Sequence, residues 1–195
     1  MEDAMTAITV RPGRLRDAAE EIERSTGLRV QIIGGTLVMS PTPRGKHAGT
    51  VQVLRDQLIL SLPKSHRVYE VSSISMPDDE DDYATPDMVV LPKDWGTDDE
   101  WLADPRDVAL ALEVISSSER ASGIASKTEW YAIAGVTTLL TADPRNGTWT
   151  LHTHPRDGVY QGVLHGKYGE PVPLAGTPLP PELRTDELPL YGPRS

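Results

Sequence analysis

Two acids stand inside short apolar runs of this chain, and no other feature limits its possible folds as sharply. Asp87 opens Asp87-Met-Val-Val-Leu91 directly after Pro86, and Glu113 nearly closes Val108-Ala-Leu-Ala-Leu-Glu-Val-Ile115. Each run is short, aliphatic and bounded by Pro, Asp or Ser, the pattern of a buried strand. A carboxylate in such a run is costly unless it meets a cation or several hydrogen-bond donors. If the two strands pair antiparallel, the start of one lies beside the end of the other, and both carboxylates reach one sheet edge. Two hard oxygen ligands at one edge suit a divalent metal ion. Each acid also has a plainer reading, as a strand-end residue that is solvated or salt-bridged.

The chain has 195 residues, enough for a single domain with a buried core. Its 19 Lys and Arg against 29 Asp and Glu give a formal charge of −10, which argues against broad electrostatic capture of nucleic acid or of an anionic membrane. A locally basic cleft or a metal-bridged phosphate contact stays open. With no cysteine, neither a disulfide framework nor a thiolate metal site can form. The N-terminus MEDAMTAITV lacks the apolar stretch of a secretory signal, and no run approaches the ~20 residues that span a bilayer. The expectation is a soluble cytoplasmic protein without membrane partners.

Residues 12–26 read as a helix, with Pro12 in the first turn, Leu15, Ala18, Ala19 and Ile22 at helical spacing, and Gly27 as the stop. This forms an N-terminal helical segment over 1–27. Two β-rich segments around Gly34-Gly35 predict a hairpin, and 45–61 a second helix burying Val51, Leu54 and Leu58. One or two strands are expected over 67–76. The run Asp78-Asp-Glu-Asp-Asp82 reads as a solvated turn, and 92–107 as a surface excursion. Ser116–Ser118 offer helix-start chemistry for a helix reaching Ala134, with Gly135 as its cap. A strand over 137–141, a turn and a closing hairpin follow, then a proline-rich tail over 171–195 that is expected to wrap the surface. Strands, a central helix and further strands predict mixed α/β (α+β) architecture with a curved sheet flanked by helices.

On the helix after Glu113, Ile124, Lys127, Tyr131 and Ala134 share one arc at ~100° per residue. A lysine there either snorkels, with its stem on the core and its amine in water, or meets the two carboxylates, a phosphate or an attacking water.

The ordered set Pro86-Asp87, Glu113-Val-Ile-Ser116, Lys127 with Tyr131, Gly135-Val136 and Ala142-Asp143-Pro144 resembles the Uma-type (DUF820-like) restriction endonucleases of the PD-(D/E)xK superfamily. The resemblance extends to Ile33-Gly-Gly-Thr-Leu-Val-Met-Ser-Pro-Thr-Pro and His47, and covers roughly 28–190. It implies a restriction-endonuclease-like core and a Mg²⁺-dependent (or Mn²⁺-dependent) DNA endonuclease. Asp87 and Glu113 match its metal-binding acids. The lysine of a plain E-x-K motif would fall at Ile115, and Lys127 matches the family lysine displaced onto the following helix. In that mechanism the three are catalytic, with Gln31, His47 and Tyr131 as accessory candidates. The chain departs from the pattern where the family commonly carries acids, at Gln31, Gly34, Thr36 and Gly123. Glutamine donates and accepts hydrogen bonds but does not neutralise a metal ion.

Other motifs carry less. His152 and His154 alternate on a strand without a third convergent ligand, and Ser116–Ser118 lack the G-x-S-x-G elbow of a nucleophile. DNA is the expected partner, and a homodimer is compatible with cutting two strands. Two alternatives stay open: a binding module that kept the nuclease fold after losing part of its site, and a metal-dependent hydrolase of a smaller phosphoester.

Overall fold

The computed structural model describes residues 13–40, 42–174, 176 and 178–192. In chain order the elements are α1 (Arg14–Thr26), β1 (Arg29–Ile33), β2 (Thr36–Ser40), α2 (Gly45–Ser61), β3 (His66–Glu70), β4 (Ser73–Ser75), β5 (Tyr83–Ala84), β6 (Met88–Pro92), β7 (Leu102–Ala103), β8 (Leu110–Val114), α3 (Ala121–Ala134), β9 (Thr138–Asp143), β10 (Thr148–Arg156), β11 (Val159–Lys167), β12 (Val172–Pro173) and β13 (Glu182–Leu183). Together they make mixed sheets flanked by helices, as the sequence predicts.

A six-stranded sheet in the order β11-β10-β9-β8-β6-β3 is the centre of the molecule. All its pairs are antiparallel except β8 with β9. Parallel neighbours need a crossover, and α3 supplies it. That connection lays α3 back across the strand that carries Glu113. One sheet face packs Met88, Val90, Leu110 and Leu112 against Val51, Leu54 and Leu58 of α2. The other packs Val89, Leu91, Ala111 and Leu139 against Trp130, Tyr131 and Ala134 of α3. Alternation along β6 and β8 therefore feeds two cores, and each fully buried aliphatic contributes ~1.5–3 kcal/mol. A smaller sheet, β2-β1-β5-β4-β7, carries α1 through a cluster of Ala19, Val30, Ile32 and Tyr83.

The hairpin turns at Gly34 and Gly35, both at positive φ (56° and 71°), which residues with a Cβ avoid. Asp82 closes it, accepting from the Gly34 amide at 2.6 Å and the Gly35 amide at 2.9 Å. Asp81 accepts from the Gly13 and Arg16 amides at the start of α1. The acidic run is thus not simply a solvated turn, because two of its acids satisfy amides that the hairpin and the helix leave unpaired. Pro12 lies outside the described residues.

Three further expectations change. Within 92–107, β7 pairs in parallel with β4 and buries Ala103, so this segment is not only a surface excursion. Helix α3 begins at Ala121 without a side-chain cap, so Ser116–Ser118 do not start it. The tail does more than wrap: Val172, Leu174, Leu183 and Leu188 fill the core beneath α2. No helix among the described residues is long and apolar enough to cross a membrane.

Candidate functional site

Antiparallel pairing sets Met88 opposite Leu112, and one further step sets Asp87 opposite Glu113. Residues facing each other across an antiparallel pair project to the same side, so the register brings the two carboxylates together. Asp87 is prepared from upstream: Gln31 on β1 accepts from the Thr85 amide at 3.0 Å, two residues before it. Gln31 is buried and is engaged with backbone rather than with either acid.

Asp87 Oδ2 accepts from the Val114 amide at 2.8 Å. Its Oδ1 lies 2.9 Å from His47 Nε2, which α2 delivers from its first turn. The Tyr191 hydroxyl meets His47 Nδ1 at 3.3 Å. Tyr191 is held in turn by its own amide, which donates to Pro144 O at 2.9 Å, and Lys46 Nζ donates to Leu190 O at 2.7 Å. The tail therefore straps across the start of α2 and supplies the outer member of a Tyr–His–Asp chain. Burial alone would raise the Asp87 carboxyl. The His47 hydrogen bond and charge, the Val114 amide and the charge of Lys127 outweigh it and hold Asp87 below its ordinary value. Burial, aided by the Asp87 charge, pushes Tyr191 up to about 12.

Glu113 sits deeper, 7% exposed. Lys127 Nζ donates to Oε2 at 2.9 Å and the Tyr131 hydroxyl donates to Oε1 at 2.7 Å. These two donors come from successive turns of α3, four residues apart and so on one face. Burial pushes Glu113 up, Lys127 and Tyr131 oppose it, and the Asp87 charge adds to the rise. Burial would depress Lys127, but Glu113, Glu119 and Asp87 together raise it, so its ammonium persists. The snorkelling alternative is thereby excluded: the lysine side chain is only 16% exposed and is aimed at the sheet.

Asp87 with His47, and Glu113 with Lys127 and Tyr131, thus form two hydrogen-bonded sets at facing positions of β6 and β8, while Gln31 supports from behind. Gly123 lies exposed at the start of α3, and His152 and His154 sit on β10, away from the pair. Tyr191 was invisible in the sequence, where nothing marks one tail tyrosine above another. Beside Asp87 opens a cleft of about 340 Å³, walled by the α1–β1 junction, the β2–α2 loop, the first turns of α2 and the β3–β4 turn. Among the described residues no three His, Asp or Glu side chains are grouped to hold a metal ion.

A family model described as "Putative restriction endonuclease", Uma2, matches residues 16–186, a span that holds His47, Asp87, Glu113, Lys127 and Tyr131 and ends before Tyr191. The chain belongs to the Uma2 family. A crystal structure titled as a putative nuclease belonging to DUF820, from Anabaena variabilis ATCC 29413, superposes with a TM-score of 0.56 at 16% identity. The match covers 77% of this chain and 83% of that one, and shows a shared fold. No curated protein matches the chain. The Uma2 match and the shared fold bear out the restriction-endonuclease-like architecture expected from the Pro86-Asp87, Glu113 and Lys127 pattern.

Proposed function

We propose that this Uma2 protein is a divalent-metal-dependent DNA endonuclease with Asp87, Glu113 and Lys127 as its catalytic residues. The observation that carries the reading is the ion pair of Lys127 with Glu113 directly across from Asp87, three groups brought together from separate elements. The donor set suits a small hard cation. Each of the four carboxylate oxygens accepts one hydrogen bond and keeps a second lone pair. Two carboxylates, with phosphate oxygens and waters completing the shell, are a common protein contribution to Mg²⁺ binding. A bound Mg²⁺ or Mn²⁺ would supply Lewis-acid activation of water and of the scissile phosphate.

The chain's own residues do the rest. Asp87 and Glu113 provide the oxygens, pinned by Val114 and His47 on one side and by Tyr131 on the other. Lys127 spends one ammonium proton on Glu113 and has two more with which to orient a water or to meet charge developing on the phosphate. Tyr131, buried and with its hydroxyl pushed well above the ordinary tyrosine value by burial and by Glu113, acts as a donor only.

A second reading has its own support. His47 and Lys127 already occupy one oxygen of each acid, and Gln31 and Gly123 stand where the family commonly has acids. Both are what a nuclease fold retained for binding would show. Nicking of supercoiled plasmid in Mg²⁺ or Mn²⁺ tests the choice, alongside calorimetric titration of Mn²⁺. Wild type should nick, and Asp87→Ala, Glu113→Ala and Lys127→Ala should each lose about a hundredfold or more. Activity surviving all three would overturn the assignment. Absence of metal binding would favour the binding module, and cleavage of a simple phosphodiester without nicking would favour a small-substrate hydrolase.

A further inference from the structure

We propose that the cleft beside Asp87 binds one unpaired nucleotide of a DNA strand, directing the site to single-stranded or frayed segments rather than to intact duplex. This deepens the endonuclease reading and rests on it for the cleavage step. The first support is charge. Two acids line the cleft: Glu70 is paired with Arg55 at 2.8 Å, and Asp87 is the carboxylate assigned above to the metal ion, hydrogen-bonded to His47 Nε2 at 2.9 Å. Arg29, at the start of β1, lines the same cleft, and among the described residues its guanidinium meets no partner. The Ser40 and Thr42 hydroxyls on that wall are likewise without a hydrogen bond among the described residues. A guanidinium with hydroxyls beside it suits a phosphate, since its planar fork bonds two phosphate oxygens at once.

The second support is shape. At about 340 Å³ the cleft falls at the low end of the range for small-ligand sites, on the order of 300–1,000 Å³, which suits a single nucleotide lodged out of its stack. The third is Val71 at the β3–β4 turn, which also lines the cleft. It is 57% exposed and sits at φ 58°, a left-handed backbone that a β-branched side chain strongly disfavours. Strain of this kind persists where the surrounding structure over-determines it, and it clusters at functional sites. Here it presents an apolar side chain at the cleft, where a base face can rest. The net charge of −10 works in the same direction. A duplex is held through many phosphate contacts, whereas one strand in a cleft needs few.

The test uses the full chain and fluorescence anisotropy, with a labelled oligothymidine and a duplex of equal length, and Ca²⁺ in place of Mg²⁺ to prevent cleavage. Wild type should bind the single strand about tenfold or more tighter than the duplex. Arg29→Ala should weaken single-strand binding about tenfold and lower the steepness of log K against log salt by about 0.7, the loss of one phosphate contact. Arg29→Lys should restore part of the affinity. Val71→Gly should weaken binding while raising the melting temperature, an outcome that a purely structural role for Val71 would not give. Equal or tighter duplex binding, or an Arg29→Ala variant that melts normally and binds the strand unchanged, would overturn the proposal. Plasmid nicking without single-strand preference would leave the endonuclease reading intact and remove this one. Strand preference without cleavage in Mg²⁺ or Mn²⁺ would do the reverse.

Discussion

Asp87 and Glu113 face each other on neighbouring strands, yet the protein treats them as opposites. Asp87 borders an open cleft, takes one donor from its partner strand and one from α2, and is held below its ordinary value. Glu113 lies under α3, takes both donors from that helix, and is pushed up. Desolvation acts on both, so the difference comes from what compensates it. Two acids buried side by side are thus driven in opposite directions by their neighbours alone.

The contrast can be broken most forcefully at Lys127. Lys127→Ala leaves Glu113 buried without its cation, and urea unfolding should show a loss of about 3–5 kcal/mol. The double variant Glu113→Gln/Lys127→Met should recover most of it, which would identify the loss as an unpaired charge rather than a cavity. Tyr131→Phe removes the second donor to Glu113 and should cost about 1–3 kcal/mol, the penalty for a buried acceptor left short.

The pH dependence sharpens the comparison. Asp87 has its folded pKa below the ordinary 3.8, so its contribution is complete above that value and is lost as pH falls through the folded pKa. Glu113 has its folded pKa above 4.5, so the folded state holds that proton more tightly than the unfolded chain does. Its contribution declines as pH rises from 4.5 through the folded value. Melting curves should therefore show Asp87→Asn converging on wild type below about pH 3.8. The gap between Glu113→Gln and wild type should instead change on the other side of 4.5. Parallel profiles for the two variants would mean that the acids are not differentiated. The smallest effect belongs to Tyr191→Phe, which removes only the outer hydrogen bond to His47 and should cost about 0.5–1 kcal/mol by chemical denaturation.

Much of this site was legible in the residues before any tertiary contact was considered. Isolated acids in aliphatic runs marked Asp87 and Glu113, because burial of a lone carboxylate demands an explanation. The four-residue spacing of Lys127 and Tyr131 put both on one face of α3. The Gly34-Gly35 hairpin, α2 and the paired strands β6 and β8 were equally readable. Other features were not. Asp82 looked like one member of a solvated acidic run, but it closes a hairpin 47 residues away. Ser116–Ser118 looked like a helix start, yet α3 begins later, and Glu119 accepts from the Ser116 amide at 3.3 Å. The tail looked like a surface wrapping, because its prolines mask apolar positions that reach the core only after β12 and β13 pair.

Periodicity and turn chemistry act over a few neighbouring residues, so the chain's order alone decided which segments become strands or helices and which face each acid would join. The choice of partners for those acids was made elsewhere. His47 and Tyr191 stand 144 residues apart, and only the packing of α2 under the returning tail brings them into line with Asp87. Hydrogen bonds of 3 Å are set by the docking of whole elements, and no local pattern encodes where a distant element will come to rest.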